Sequence, residues 1–499
     1  MRFPRSCGTL VHPTSFPSKY GMGDLGDGAK RFIDFLVETD QSVWQVLPLS
    51  PTGYGNSPYA SYSAFAGNHY LISPDLLARK GLLTPEELKA AELPATTVAD
   101  YTNSFRVKNK LYQTASERFY KSATSDQKEK LDLFKASNSV WLEDYCLFIA
   151  CLKAHENKSW NQWDKKLTQR EPGAIQSFKK QHIKEIEYQT WLQFEFFNQW
   201  YDLKKYANSK KIRVVGDIPI FVDHNSADVW ANPRYFEVDS TGNRVLVAGV
   251  PPDYFSETGQ LWGNPLYNWQ TLEEDNYKWW IDRFRQMFDL FDAIRVDHFR
   301  GFDAYWQVDA KEKNAINGKW VDGPGHNLFN TIKKELGELP IIAEDLGVIT
   351  PSVEKLRDDF QFPGMKILHF AFGSDAGNGF LPHNYQQNCV VYTGTHDNDT
   401  TLGWYKSAPS EEQHRAREYT KSDGSEMHWE LIRFAMLSVA DQAIFPLQDF
   451  MNLDSEHRMN TPGTVQNNWQ FRYTPKMLES TDKERIRYLI GISNRKISR

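Results

Sequence analysis

The stretch DAIRVDH, residues 292–298, reads as a short buried strand that ends on a carboxylate, and its reading decides the fold. Ala293, Ile294 and Val296 make the apolar run, and Asp297 interrupts it at the carboxyl end. Seven other runs share this character: GTLVH at 8–12, SVWQVLPL at 42–49, IRVVGDIPI at 212–220, PIIAED at 340–345, GMKILHF at 364–370, CVVYTGTHD at 389–397 and AIFPLQDF at 443–450. Helical patterns stand between or after several of them, over 27–39, 188–208, 277–290, 350–359 and 429–441. Strand-length runs alternating with helices predict α/β architecture with a parallel sheet. Eight such strands predict one closed barrel of the (β/α)8, or TIM, class.

Uneven spacing shows where the remaining mass of the 499-residue chain sits. Residues 73–187, rich in Glu, Lys, Leu and Trp, predict a mainly helical insertion after the second strand. Residues 223–276 are rich in Pro, Gly and aromatics (GVPPDYFSETGQLWGNPLYNW) and do not read as regular structure, and residues 300–338 form a smaller insertion. Loops that follow barrel strands lie at the C-terminal face, so these insertions are expected to wall and roof a cleft. Nothing resembling a repeat or linker divides the chain, and 1–499 reads as a single catalytic domain.

Composition narrows the function classes. The net charge of -6 comes from 64 acidic and 58 basic residues that are interspersed along the chain, and no long Lys/Arg run points to nucleic acid. No stretch approaches the roughly 20 apolar residues of a membrane span. The first residues, MRFPRSCGTLVHPTSFPSKYG, lack a sustained apolar segment, so cytoplasmic residence is expected. Cys7, Cys146, Cys151 and Cys389 show no CxxC spacing and read as free buried thiols. The 16 Trp add faces that stack on sugar rings as readily as they fill cores.

Asp297, Glu344 and Asp397 sit at carboxyl ends of expected strands, and Asp217 occupies a similar place on the third. For any one of them alone, a helix cap or an Arg partner is the simpler reading. Strands of one barrel share a mouth, however, and convergence makes a chemical site. Two carboxyl groups flanking a glycosidic bond are what glycoside cleavage needs, one ionised at the anomeric carbon and one protonated at the leaving oxygen. Arg295, two residues before Asp297, shares its face of the strand and is expected to pair with it. Asp345 beside Glu344 offers a negative charge that would help to keep Glu344 protonated. His298 and His396 adjoin two of the acids as hydrogen-bond donors. Their spacing with Glu344 and Asp397 matches no compact metal motif, so no metal and no cofactor is expected.

The residues resemble the amylomaltases, 4-α-glucanotransferases related to the α-amylase barrel enzymes. The resemblance runs through HPTSFPSKYGMGDLG, WQVLPLSPTGYGNSPYASYSAFAGN, GDIPIFV, PPDYFSETGQLWGNPLYNW, IRVDHFRGF, AEDLG, THDNDTTLGW, IFPLQDFM and TPGTVQNNW. It implies Asp297 as nucleophile, Glu344 as general acid/base and Asp397 as stabiliser of the distorted sugar. It also implies substrate contacts for Tyr59, Asp217, Trp262, Asn264, Arg295, His298 and His396. In NWQFRY, Phe471 stands where relatives are expected to carry Trp. The implied partners are maltooligosaccharides and other α-1,4-glucans, handled by a monomer or weak homo-oligomer through double displacement with retention. The loop around Tyr254, Phe255 and Trp262 reads as a lid. Two other readings remain open at this stage: an α-amylase-like hydrolase using the same carboxylates, and a glucan-binding barrel without catalysis.

Overall fold

The computed structural model describes residues 2–252 and 256–497. Twelve strands occur in it: β1 (Ser6–Leu10), β2 (Val43–Gln45), β3 (Arg213–Pro219), β4 (Leu246–Val250), β5 (Gln260–Pro265), β6 (Ala293–Asp297), β7 (Ala304–Asp309), β8 (Gly318–Asp322), β9 (Ile341–Ala343), β10 (Gly364–Ile367), β11 (Cys389–Tyr392) and β12 (Gln442–Pro446). Eight form one parallel sheet in the order β10-β11-β12-β1-β2-β3-β6-β9. At the seam between β9 and β10, Ala343 N donates to Pro363 O at 2.9 Å, closing the barrel. The Asp345 carboxylate reinforces that seam by accepting from Met365 N at 2.7 Å and pairing with Arg357. Asp345 is therefore committed to closure and turned away from Glu344, which overturns the expectation that it raises that group.

Each barrel strand matches one of the eight apolar runs. Strands covered on both faces need apolar side chains throughout, which explains why the runs stand out in the sequence. Helices Asp27–Glu38, Ile183–Ser209, Lys278–Leu290, Pro351–Asp359 and Met427–Leu437 occupy the expected places. The second begins at Ile183, before Tyr188; its first residues, IKEIE, bury little until Gln189, so no apolar periodicity marks that start in the sequence. The last stops short of 441. Arg5 and Arg495 take the carbonyls of Met436, Ser438 and Ala440 at its end, satisfying groups that a further turn would otherwise bond.

Between β2 and the helix Ile183–Ser209 the chain is a run of helices, the longest being Tyr101–Ser122, packed on that helix through Phe119, Trp191 and Phe194. The segment 223–276 departs from its irregular reading. Its β4 and β5 join β7 and β8, from the segment 300–338, in a four-stranded antiparallel sheet of order β5-β4-β7-β8. The central pairing sets Val247 opposite Val308, far apart in the chain, so no local hairpin pattern announces it. Trp262 lies on β5, so the described part of the expected lid is the edge strand of this sheet. Tyr254 and Phe255 lie outside the described residues. All four cysteines are free and buried.

Candidate active site

The register of β3 on β6 builds the centre of the site. Asp217 is paired with Arg295, and Pro219 with Asp297. Arg295 is thereby placed between two carboxylates: its Nη1 donates to Asp217 Oδ2 at 2.6 Å and its Nη2 to Asp297 Oδ1 at 2.7 Å. The guanidinium is 4% exposed, and a buried fork with two anions has its charge compensated. Tyr59 OH also donates to Asp217 Oδ2, at 2.8 Å. Burial pushes the Asp217 carboxyl up and Arg295 pulls it back.

Glu344 follows β9 and is joined to the same centre by the backbone. His298 adopts the left-handed conformation, φ 50°, which directs its N–H to Glu344 Oε2 at 2.7 Å. Leu346 N donates to Oε1 at 2.9 Å. Burial nevertheless dominates and, helped by the negative charge of Asp297, raises Glu344 to about 7 against the pull of Arg295 and the two backbone donors. One carboxylate is thus coupled to a cation and another is pushed towards its protonated form, the contrast an acid/nucleophile pair requires.

Asp397 lies in the loop after β11. Its side chain is 45% exposed, and Asn460 Nδ2 donates to Oδ1 at 2.6 Å while His396 Nε2 stands 3.2 Å from Oδ2. Burial works to raise this carboxyl, but His396 and Asn460 outweigh it and hold it well below the ordinary carboxylate range. The His396 ring stacks on Tyr59 with centroids 5.0 Å apart, and Trp469 completes an aromatic cluster at 5.8 Å from Tyr59 and 5.9 Å from His396. Across the cleft, Trp262 meets His298 edge-on at 4.8 Å and remains 39% exposed. Asn264 Nδ2 donates to Val222 O at 2.9 Å, fastening β5 to the loop after β3.

Seven of the ten expected site residues line one cleft of about 490 Å³: Tyr59, Trp262, Asn264, Asp297, His298, His396 and Asp397. The other three lie against it, Asp217 through Tyr59, Arg295 through Asp297 and Glu344 through His298. A family model for 4-alpha-glucanotransferase matches residues 11–478. The chain belongs to that family.

It is 50% identical to a 4-alpha-glucanotransferase of Synechocystis sp., over 99% of this chain and 98% of the relative. Identity to the Thermus thermophilus 4-alpha-glucanotransferase is 46%, over 99% and 100% of the two chains. The solved amylomaltase from Streptococcus agalactiae in complex with acarbose superposes with a TM-score of 0.96 at 38% identity, covering 99% of this chain and 100% of that one. The chain is accordingly an enzyme of the 4-alpha-glucanotransferase family, with the (β/α)8 barrel fold of the amylomaltases.

The family motif TPGTVQNNW carries residues of the site to which no part was assigned from sequence. Pro462, Gly463, Thr464 and Val465 wall the cleft, and Trp469 closes the aromatic cluster. Just before the motif, Asn460 holds the Asp397 carboxylate, and Arg458 Nη2 donates to the Asp397 carbonyl at 3.0 Å. Phe471 is buried in the core, edge-on to His457 at 6.3 Å. Among the described residues no helix is long and apolar enough to cross a membrane.

Proposed function

We propose that the enzyme moves segments of 1,4-α-glucan to the 4-hydroxyl of an acceptor glucan by double displacement at Asp297, Glu344 and Asp397. The observation that carries this reading is the single turn Asp297–His298: Asp297 is paired with Arg295, and the next backbone N–H binds a Glu344 raised by burial. In the first step an Asp297 oxygen attacks the anomeric carbon, the glycosidic C–O bond breaks, and Glu344 gives its proton to the leaving 4-oxygen. The donor segment remains as an ester on Asp297. In the second, Glu344 takes the proton of the acceptor 4-hydroxyl, whose oxygen attacks the anomeric carbon and releases Asp297, with net retention.

Asp397, held ionised, accepts from sugar hydroxyls as the ring flattens. His298 Nε2, buried at the cleft, and Asp217 Oδ1, beneath Tyr59, have no partner among the described residues. Trp262 and the Tyr59–His396–Trp469 cluster supply stacking faces and exclude water, which favours a sugar acceptor. The substrates are maltooligosaccharides and related α-1,4-glucans. Cytoplasmic residence and a monomeric or weakly associating state belong to the same reading, to be checked by fractionation and size-exclusion chromatography.

Incubation with maltotriose tests the reaction. Transfer yields glucose together with a ladder of longer glucans. Glucose and maltose alone mean hydrolysis at the same carboxylates, and no turnover leaves binding without catalysis.

A further inference from the structure

We infer that Asp449, on the turn that follows β12, is a positioning residue for the loop bearing His396 and Asp397. Its carboxylate is 1% exposed and reaches both ends of that loop. From the exit of β11, Thr393 Oγ1 donates to Oδ2 at 2.5 Å. From the start of the helix Thr401–Ser407, Thr401 N donates to Oδ1 at 2.8 Å and Thr401 Oγ1 to Oδ2 at 2.7 Å. One carboxylate therefore staples residue 393 to residue 401, and His396 and Asp397 lie inside the span. The inference rests on the role proposed for Asp397.

The surroundings leave the staple little freedom. His369 Nε2 lies 3.1 Å from Thr401 Oγ1. Because that hydroxyl gives its proton to Asp449, it accepts from His369, which fixes the proton on Nε2. The His369 ring is buried flat against Trp404 at 4.9 Å, and burial lowers its pKa to about 3, so it stays neutral. A Cβ on Gly394 would stand 2.7 Å from the same ring, so only glycine leaves β11 by this route. Within the span, the Asn398 side chain accepts from Thr395 N at 2.8 Å, and Asp399 is anchored by Ser455 Oγ at 2.7 Å. The adjacent Gln448 donates to His457 O at 3.1 Å, steadying the strand of chain from which Arg458 and Asn460 reach Asp397. Two neighbouring side chains, Gln448 and Asp449, thus hold the two segments that meet at one carboxylate.

A carboxylate that accepts three hydrogen bonds and donates none has no neutral equivalent here. In Asp449→Asn the amide would face hydroxyls already oriented to donate, and Thr401 Oγ1 already accepts from His369. The test is steady-state kinetics of the full chain on α-maltosyl fluoride with maltose as acceptor, a donor that keeps impaired variants measurable. Asp449→Asn is expected to lower kcat by roughly 10- to 100-fold, as misplacement of a reacting group does, with KM changed far less. In an Asp397→Asn background the same substitution is expected to cost less than about twofold, since a residue acting through Asp397 loses its effect when that carboxylate is gone. Native kcat in Asp449→Asn, or an undiminished loss in the Asp397→Asn background, overturns the positioning role. Native turnover in Asp397→Asn alone overturns the reading of Asp397 and this inference with it. Should Asp449→Asn not fold, Thr393→Val and Thr393→Ser replace it: Val is expected to lower kcat and Ser to restore it, and equal rates overturn the staple.

Discussion

His298 N–H points at Glu344 Oε2 across 2.7 Å, and the residue before it is Asp297. One peptide turn therefore sets the separation of the two reacting carboxyls, and the left-handed backbone of His298 is the joint.

The raised Glu344 predicts a pH profile. In the free enzyme kcat/KM is expected to fall as pH rises through about 7, where the acid loses its proton. Stability follows the same group. A carboxyl raised in the folded state adds stability below its unfolded value, about 4.3, and that contribution is lost as pH rises through the folded value. Glu344→Gln is then inactive, and its stability relative to the parent is higher at pH 8 than at pH 4 by on the order of 1–3 kcal/mol, on top of a pH-independent cost of setting an amide against the N–H groups of His298 and Leu346. Melting curves at both pH values decide it; an equal difference from the parent at each would mean that titration is not the cause.

Asp297→Asn keeps the neutral shape and removes the nucleophile. Transfer from maltotriose is expected to drop by about 10³-fold or more while the melting midpoint stays near that of the parent. Near-native transfer in a folded variant would falsify the assignment.

Arg295→Lys retains the charge but not the fork. A lysine cannot serve Asp217 and Asp297 together, so either the buried Asp217 or the cleft-lining Asp297 loses its cation. We expect kcat/KM to fall roughly 100-fold, equivalent to about 3 kcal/mol. Retention of more than half the parental kcat/KM would show the fork to be dispensable.

Far from the cleft, Arg495 is fully buried at the opening ends of β1 and β12, where it donates to the carbonyls of Ser6, Met436, Ser438, Ala440 and Asp441. Arg495→Met removes these hydrogen bonds and the buried packing, although Arg5 still serves Met436, Ser438 and Ala440 and Ser6 N still serves Asp441, and is expected to cost about 3 kcal/mol in urea unfolding. Specific activity at 25 °C should not change, since the site lies at the opposite end of the strands.

The barrel was legible because its strands are apolar on both faces and stand out as runs, and the Arg295–Asp297 pairing because residues two apart on a strand share a face. The contact of Asp217 with Arg295 was not, since it depends on the register between β3 and β6, which no local pattern encodes. The segment 223–276 was read as irregular for the same reason: its β4 finds β7 across an intervening barrel strand and helix. Asn460 and Arg458 are ordinary loop residues until folding brings them to Asp397. Asp345 was misread because its neighbour in sequence is Glu344, whereas its neighbours in space are Arg357 and the amide of Met365.

The pairing of β1 with β12 has a consequence for synthesis. Ser6 is registered on Gln442, so β1 emerges from the ribosome 436 residues (442 − 6) before the strand that covers one of its edges. At about 5–20 residues per second that edge waits for roughly 20–90 seconds. A strand edge left open so long is a template for wrong pairing, and β1 is short, five residues, with a glycine at its centre. Brevity and Gly8 make it a poor template for other chains, so the nascent protein is guarded by the weakness of its first strand until its last one arrives.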